Sequence, residues 1–225
     1  MRRFTKLYVL LLAGLVPGWT QVAKEVNKDY YTPEGRARIA ASLEDHHRTD
    51  RFKPPEMIAA LGIKSGSTVA DVGTGVGTML PYLSEAVGPA GRVIAQDIQK
   101  DFLDKAQARA KSQKLTNVTF VLGTERDPKL PERQVDLVFV LDSYHHFDYP
   151  DEMLANISRA LQPDGRLAIV DFYRHRAGPQ DKDMSQHVRA DKDEVVREIQ
   201  GNGYELVSQR DHGTNQYVLI FKKKT

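Results

Sequence analysis

From Val69 to Thr78 the chain reads Val-Ala-Asp-Val-Gly-Thr-Gly-Val-Gly-Thr, a short apolar strand running into glycines at alternate positions, Gly73, Gly75 and Gly77. Glycine reaches positive φ at no steric cost, so the backbone can turn sharply here and a ligand can approach it closely. A helical pattern follows to about Val87. Strand, glycine turn and helix form the opening half of a crossover unit, whose next strand lies parallel to the first. A chain that starts this way is committed to a largely parallel sheet with helices on both faces.

The rest of the chain keeps that alternation. Strands are expected over Ser67 to Val72, Arg92 to Asp97, Asn117 to Leu122, Val135 to Leu141 and Arg166 to Phe172, with helices over Phe102 to Lys111 and Glu152 to Leu161 between them. Val135-Asp136-Leu137-Val138-Phe139-Val140-Leu141 is apolar nearly throughout, as a strand covered on both faces must be. Asp191 with Glu194 three residues later opens a further helix through Ile199 with a capping box. Tyr204 to Gln209 and Gln216 to Phe221 close the chain, and the six residues between them are too few for a helical crossover. They are expected to pair as an antiparallel hairpin. The fold class is therefore α/β, a doubly wound, mostly parallel seven-stranded sheet ending in an antiparallel hairpin.

Ahead of this lie two further stretches. Residues 1–23 begin with Arg2, Arg3 and Lys6 and continue into an apolar run over residues 7–17. That run falls short of the about 20 residues that span a bilayer and has the shape of an export leader or membrane anchor. The expected location is exported (periplasmic) or membrane-anchored, with a cytoplasmic one as the alternative. Residues 24–53 form an N-terminal helical segment: Thr32 caps a helix that Pro33 starts and that should run to about His47. Tyr30, Tyr31, Arg36 and Arg38 on this segment are candidates for a lid. Residues 54–225 form the main domain, beginning with a helix from Pro54 that Gly62 ends.

Composition narrows the function. The 225 residues include no cysteine, so disulfides, thiolate metal sites and cysteine nucleophiles are excluded. Of 32 basic residues six sit at the two ends, which leaves 26 against 30 acidic ones in the body. A body with an acidic surplus is not built to coat nucleic acid.

Asp97 closes the second strand 24 residues after Gly73, where a carboxylate can accept from two ribose hydroxyls. Loop and acid together mark a ribonucleoside ligand. A dinucleotide fingerprint would carry its third glycine at Thr78, and here it comes one residue early. Asp71, two residues before the first glycine, would repel a pyrophosphate and suits a ligand with an ammonium or sulfonium group.

The Asp71-x-Gly73-x-Gly75-x-Gly77 pattern resembles the first motif of class I S-adenosylmethionine-dependent methyltransferases. Asp97 in VIAQDIQ matches the family's ribose-binding acid, and Gly123-Thr124-Glu125 ahead of Lys129-Leu130-Pro131 is similar to its adenine-side segment, with Thr124 where the family often has Asp. Val135 to Ser143 matches the fourth-strand motif, and Leu161-Gln162-Pro163-Asp164-Gly165-Arg166-Leu167 the entry to the fifth strand. The match runs from about Pro54 to Arg174. With GTExDPxLP and DxYHH segments, the chain resembles a bacterial small-molecule methyltransferase group often found behind an export-like leader. The resemblance implies a Rossmann-like methyltransferase fold, S-adenosylmethionine as cofactor, and Asp71, Gly73, Gly75, Gly77, Asp97, Thr124, Glu125 and Asp142 as its binding residues.

Chemistry is expected after the fourth strand, in Asp142-Ser143-Tyr144-His145-His146-Phe147. Adjacent side chains in an extended segment point opposite ways, so one of the two histidines should face the cofactor. His146, with Tyr144 assisting, is the candidate for the methyl acceptor, and His145 for a structural partner. Asp171, Phe172, Tyr173, Arg174 and the loop Ala177 to His187 are candidates for the acceptor wall. No metal is expected, because His46-His47 and His145-His146 lack the i, i+4 spacing of ligands on one helix face. The expected reaction is methyl transfer from S-adenosylmethionine to a small molecule. The alternatives are a nicotinamide-dependent oxidoreductase, which lacks support from a Tyr-x-x-x-Lys pair, and a non-catalytic nucleoside-binding protein.

Overall fold

The structure, a computed structural model, describes residues 21–175 and 184–224. The leader over residues 7–17 and most of the loop from Ala177 lie outside the described residues.

A seven-stranded sheet forms the centre: β1 (Thr68–Val72), β2 (Arg92–Asp97), β3 (Val118–Leu122), β4 (Val135–Leu141), β5 (Leu161–Phe172), β6 (Tyr204–His212) and β7 (Gln216–Lys223), in the order β3-β2-β1-β4-β5-β7-β6. The first five pair in parallel, and β7 runs antiparallel between β5 and β6. The doubly wound sheet with a terminal hairpin is thus as the residue pattern requires. The chain moves outward from β1 through β2 to β3, then returns to add β4 on the other side of β1. That reversal opens a crevice beyond the carboxyl ends of β1 and β4.

Side chains alternate across each strand, and both faces are covered. Ala70 and Val72 of β1 and Val138 and Val140 of β4 pack in a core with Leu154 and Ile157 of α6 (Pro150–Ala160) and Val195 and Ile199 of α7 (Lys192–Gly201). Val69, Leu137 and Phe139 face the other side. There they meet Met57 and Leu61 of α3 (Pro54–Leu61), Leu80 and Leu83 of α4 (Leu80–Val87) and Ala106 of α5 (Lys100–Ser112). Asp136, the one polar residue inside β4, accepts the backbone N–H of Thr68 at 2.8 Å and ties the start of β1 to its neighbour.

Three of the boundaries that differ from the sequence expectation have a clear local cause. The helix from Pro33 ends at Glu44 (α1, Pro33–Glu44) because Asp45 leaves helical backbone (ψ 113°) and its carboxylate caps α2 (His46–Arg51) through the N–H of His47. Helix α6 begins at Pro150, which suits the first helical position, rather than at Glu152. Strand β5 begins at Leu161, which pairs with Val135 before a register shift, so the ladder forms ahead of Arg166. Among the described residues no helix is long and apolar enough to cross a membrane.

The N-terminal segment folds as a 3-10 turn (Lys28–Tyr31) followed by α1 and α2. It packs on the main domain through Ala40, Val76 and Phe102, with Tyr30, Ile39 and Leu43 against them. Arg36 bridges to Asp101 of α5 at 2.7 Å, and Lys105 to Glu44 at 2.8 Å.

Candidate functional site

A cavity of about 420 Å³ lies in the crevice beyond β1, β2 and β4, closed on one side by residues 25–31. Its floor is the glycine loop. Gly73, Gly75 and Gly77 have φ of 78°, 55° and 77°, all in the left-handed region that disfavours other residues. The N–H groups of Gly73 and Thr74 both donate to the carbonyl of Gln96 at 2.9 Å, and that of Gly75 to Oδ2 of Asp97 at 2.9 Å. The loop is thereby fastened to the end of β2. Gly73 and Gly75 line the cavity with bare backbone. Gly77 lies outside the cavity wall, and a Cβ there would fall 3.0 Å from that of Ala106. Its lack of a side chain serves the close packing of α5.

Two buried carboxylates stand behind the loop. Asp71, the penultimate residue of β1, accepts the Thr74 hydroxyl at 2.7 Å. Burial pushes its carboxyl up to about 7; the Thr74 hydrogen bond opposes this and the nearby Asp97 charge adds to it. Asp97 accepts the N–H of Gln99 on Oδ1 and that of Gly75 on Oδ2, each at 2.9 Å. Burial raises it to about 6 in spite of those donors. A carboxylate has roughly four acceptor positions, so capacity remains on Asp97 for hydroxyl donors. Asp142 also lines the cavity, at φ 50°, with its N–H on the carbonyl of Val170.

Beside the cavity, Ile98, Gln99, Gly123, Thr124, Glu125 and Arg126 line a shallower depression. Glu125 reaches both hollows. The Thr124 side chain is engaged in its own turn, where Oγ1 accepts the N–H of Asp127 at 3.0 Å. Thr124 therefore shapes this wall through its backbone rather than offering a hydroxyl to a ligand.

At the opposite end, the 3-10 turn Tyr144–His146 splits its three side chains. Tyr144 is fully buried outside the cavity wall, and its hydroxyl donates to Glu198 at 2.6 Å. Burial and the Glu198 charge hold its pKa well above the ordinary tyrosine value. His145 is buried, with Nδ1 2.8 Å from Oδ1 of Asp171 and Nε2 3.1 Å from Nε2 of His187. Burial lowers its pKa, but the Asp171 charge and hydrogen bond outweigh that and the net shift is upward.

His146 lines the cavity. Its Nδ1 lies 2.8 Å from Oδ1 of Asn27, and its Nε2 lies 3.3 Å from the Tyr30 hydroxyl. The amide of Asn27 is oriented by two bonds from Nδ2, to the His146 carbonyl at 2.9 Å and to Asp148 at 3.1 Å. Its Oδ1 can only accept, so Nδ1 of His146 carries the proton and Nε2 the lone pair. Asn27, Asp148 and the role of His187 are absent from the sequence reading. They reach this site across 119, 127 and 42 residues of chain, measured to His146, Gln21 and His145, and no local pattern marks such contacts.

Comparison with known proteins places the chain in a family. The family model for a methyltransferase domain matches residues 63–222. The ubiquinone/menaquinone biosynthesis C-methyltransferase UbiE of Pseudomonas paraeruginosa is 29% identical over 157 residues, 68% of this chain and 60% of that protein. The chain thus spans about 60% of the length of that curated relative. A crystal structure of a SAM dependent methyltransferase from Aquifex aeolicus superimposes with TM-score 0.76 at 28% identity, covering 82% of this chain and 96% of that one. The TehB-like SAM-dependent methyltransferase of Corynebacterium glutamicum shares the fold, with TM-score 0.58 and 23% identity over 88% of this chain and 98% of that one.

The residues present fit the family's cofactor. Gly73 and Gly75 leave room where any Cβ would intrude, Asp97 has acceptor capacity for a ribose, and buried Asp71 favours a cationic ligand over a pyrophosphate. The oxidoreductase reading falls away. The chain belongs to the class I S-adenosylmethionine-dependent methyltransferases.

Proposed function

We propose that the protein methylates a small aromatic acceptor carrying an ionisable hydroxyl, and that His146 activates it. S-adenosylmethionine supplies a methyl group already activated by its sulfonium. The chain's own residues then have to bind, align and, where the acceptor holds a proton, remove it.

The observation that carries this reading is the state of His146. Asn27 holds the ring in the tautomer that leaves Nε2 as a base, and the ring lines the cavity beside Tyr30. A neutral imidazole that presents a ring lone pair can take a hydroxyl proton. Phe52, Phe147 and Met153 give the cavity apolar wall for a ring. The UbiE relatives are named for C-methylation in quinone biosynthesis. Ionising a ring hydroxyl makes both its oxygen and the neighbouring ring carbons nucleophilic, so one base serves O- and C-methylation alike. Residues 25–31 form the lid of this site in the same reading, and residues 7–17 the export leader or anchor.

The test is transfer of labelled methyl from S-adenosylmethionine to a panel of phenols, aliphatic alcohols and amines, with the product's labelled atom located by NMR. Label on phenols, at oxygen or ring carbon, is expected. Label on amines, or on no acceptor while the cofactor binds, would refute the acceptor class.

A further inference from the structure

Three imidazoles converge at the acceptor end of the cavity. His145 and His146 come from the turn after β4, and His187 from the segment ahead of α7. One ring nitrogen from each lies within 4.8 Å of the other two. The Nε2 atoms of His145 and His187 are 3.1 Å apart. Two imidazoles on a zinc-like ion, with bonds of about 2.0–2.1 Å, place their nitrogens roughly 3.0–3.4 Å from each other.

The rings are also supported in the manner of ligands. Asp171, itself buried, holds Nδ1 of His145, and Asn27 holds Nδ1 of His146, each at 2.8 Å. An oxygen on the far nitrogen fixes the tautomer and the orientation of a ligating histidine. Asp142, His145 and Asp171 form a second close group, so two carboxylates stand behind the imidazoles. His146 and His187 both line the cavity, which leaves the open side of the trio facing the acceptor.

We propose that His145, His146 and His187 bind one divalent first-row transition ion such as zinc. Three nitrogen ligands with no thiolate favour such an ion over magnesium or calcium, which take oxygen ligands. Three protein ligands with one open position are the pattern of a catalytic rather than a structural site. The ion would hold the acceptor oxygen and favour its ionised form; Nε2 of His146 would then act on the hydroxyl through the ion, and the proton released would pass to solvent. The inference rests on the acceptor end as read above. Its alternative is a purely hydrogen-bonded trio, in which one nitrogen of the His145–His187 pair carries a proton toward the other.

The full chain, dialysed against chelator, is titrated with Co²⁺ by visible absorption and with Zn²⁺ by calorimetry. One equivalent is expected, with the absorption of an imidazole-bound cobalt. His187→Gln should weaken uptake at least tenfold, Asp171→Asn about 10–100-fold, and His47→Ala not at all. S-adenosylmethionine affinity, measured in parallel, reports that each variant is folded. No saturable uptake, or uptake unchanged in folded His187→Gln, overturns the site. Methyl transfer to phenols that survives chelation would refute the ion and keep the acceptor class. Uptake of one equivalent without transfer to any hydroxylated acceptor would keep the ion and refute that class.

Discussion

The Cβ that Gly73 lacks would stand 2.0 Å from Oγ of Ser143, so the first turn of the glycine loop and the end of β4 meet with no room between them. The two ends of the crevice are in this way built against each other, cofactor floor against acceptor turn. Gly73→Ala should disrupt both. Its φ of 78° adds about 1–2 kcal/mol for a residue with a side chain. We expect a lower Tm and loss of S-adenosylmethionine binding in calorimetry; an unchanged affinity would contradict the close approach.

Asp97→Asn tests the ribose contact with minimal change of shape. It also exchanges a charged acceptor for a neutral one at the Gly75 and Gln99 N–H groups. Hydrogen bonds to a charged group contribute about 1.5–3 kcal/mol, so cofactor affinity should fall roughly 10–100-fold. Calorimetric titration of the variant is the check, with affinity equal to wild type as the contrary result.

Asp71 and Asp97 also set a pH dependence. Both carboxyls are raised in the folded protein, to about 7 and about 6, from an ordinary value near 3.8. The folded state therefore binds their protons more tightly than the unfolded state. Their contribution to stability is present in full below about pH 4 and is lost as pH rises toward 7. Asp71→Asn should flatten the fall in denaturation midpoint between pH 5 and 7.5 for the ligand-free protein. Affinity for the cationic cofactor should move the opposite way and rise over the same window, because the ionised carboxylates attract it. A midpoint slope identical in wild type and Asp71→Asn would contradict the burial argument.

Tyr144 and Asn27 separate appearance in a motif from a place at the site. Tyr144→Phe removes a hydroxyl that donates to the half-buried Glu198, so it should lower stability by about 1.5–3 kcal/mol and leave kcat within a few-fold of wild type. Denaturant unfolding and steady-state kinetics measure the two.

Asn27→Ala removes the acceptor that holds the His146 proton on Nδ1. The ring is then free to turn or to exchange tautomers, and kcat should fall about tenfold or more with cofactor affinity retained. A loss confined to KM for the acceptor would assign Asn27 to binding alone.

Much of the scaffold was legible in local pattern. Arg92–Asp97 and Val135–Leu141 stand where apolar runs placed them, and Asp191 and Glu194 form the capping box their spacing announces. These features depend on neighbours within a few residues, which a single sequence displays. The cofactor end was legible for the same reason, since Gly73, Gly75 and Asp97 sit at fixed offsets from strand ends. Gly77 followed the motif but serves helix packing, and Tyr144 followed the segment but turns into the core. At the acceptor end the sequence marked His146, Asp171 and the stretch ending at His187, but not the contacts that join them. Asn27, Asp148, Asp171 and His187 come from four different parts of the chain, and only the closed sheet brings them together.

The central claim is that His146 promotes ionisation of an acceptor hydroxyl. The most direct test is the single-turnover rate of wild type and His146→Ala across phenols of graded acidity at pH 7. The account predicts losses of about 10²–10⁴ for weakly acidic phenols, shrinking toward none for those already ionised in solution. A loss that is uniform across the series, or no loss at all, would contradict it.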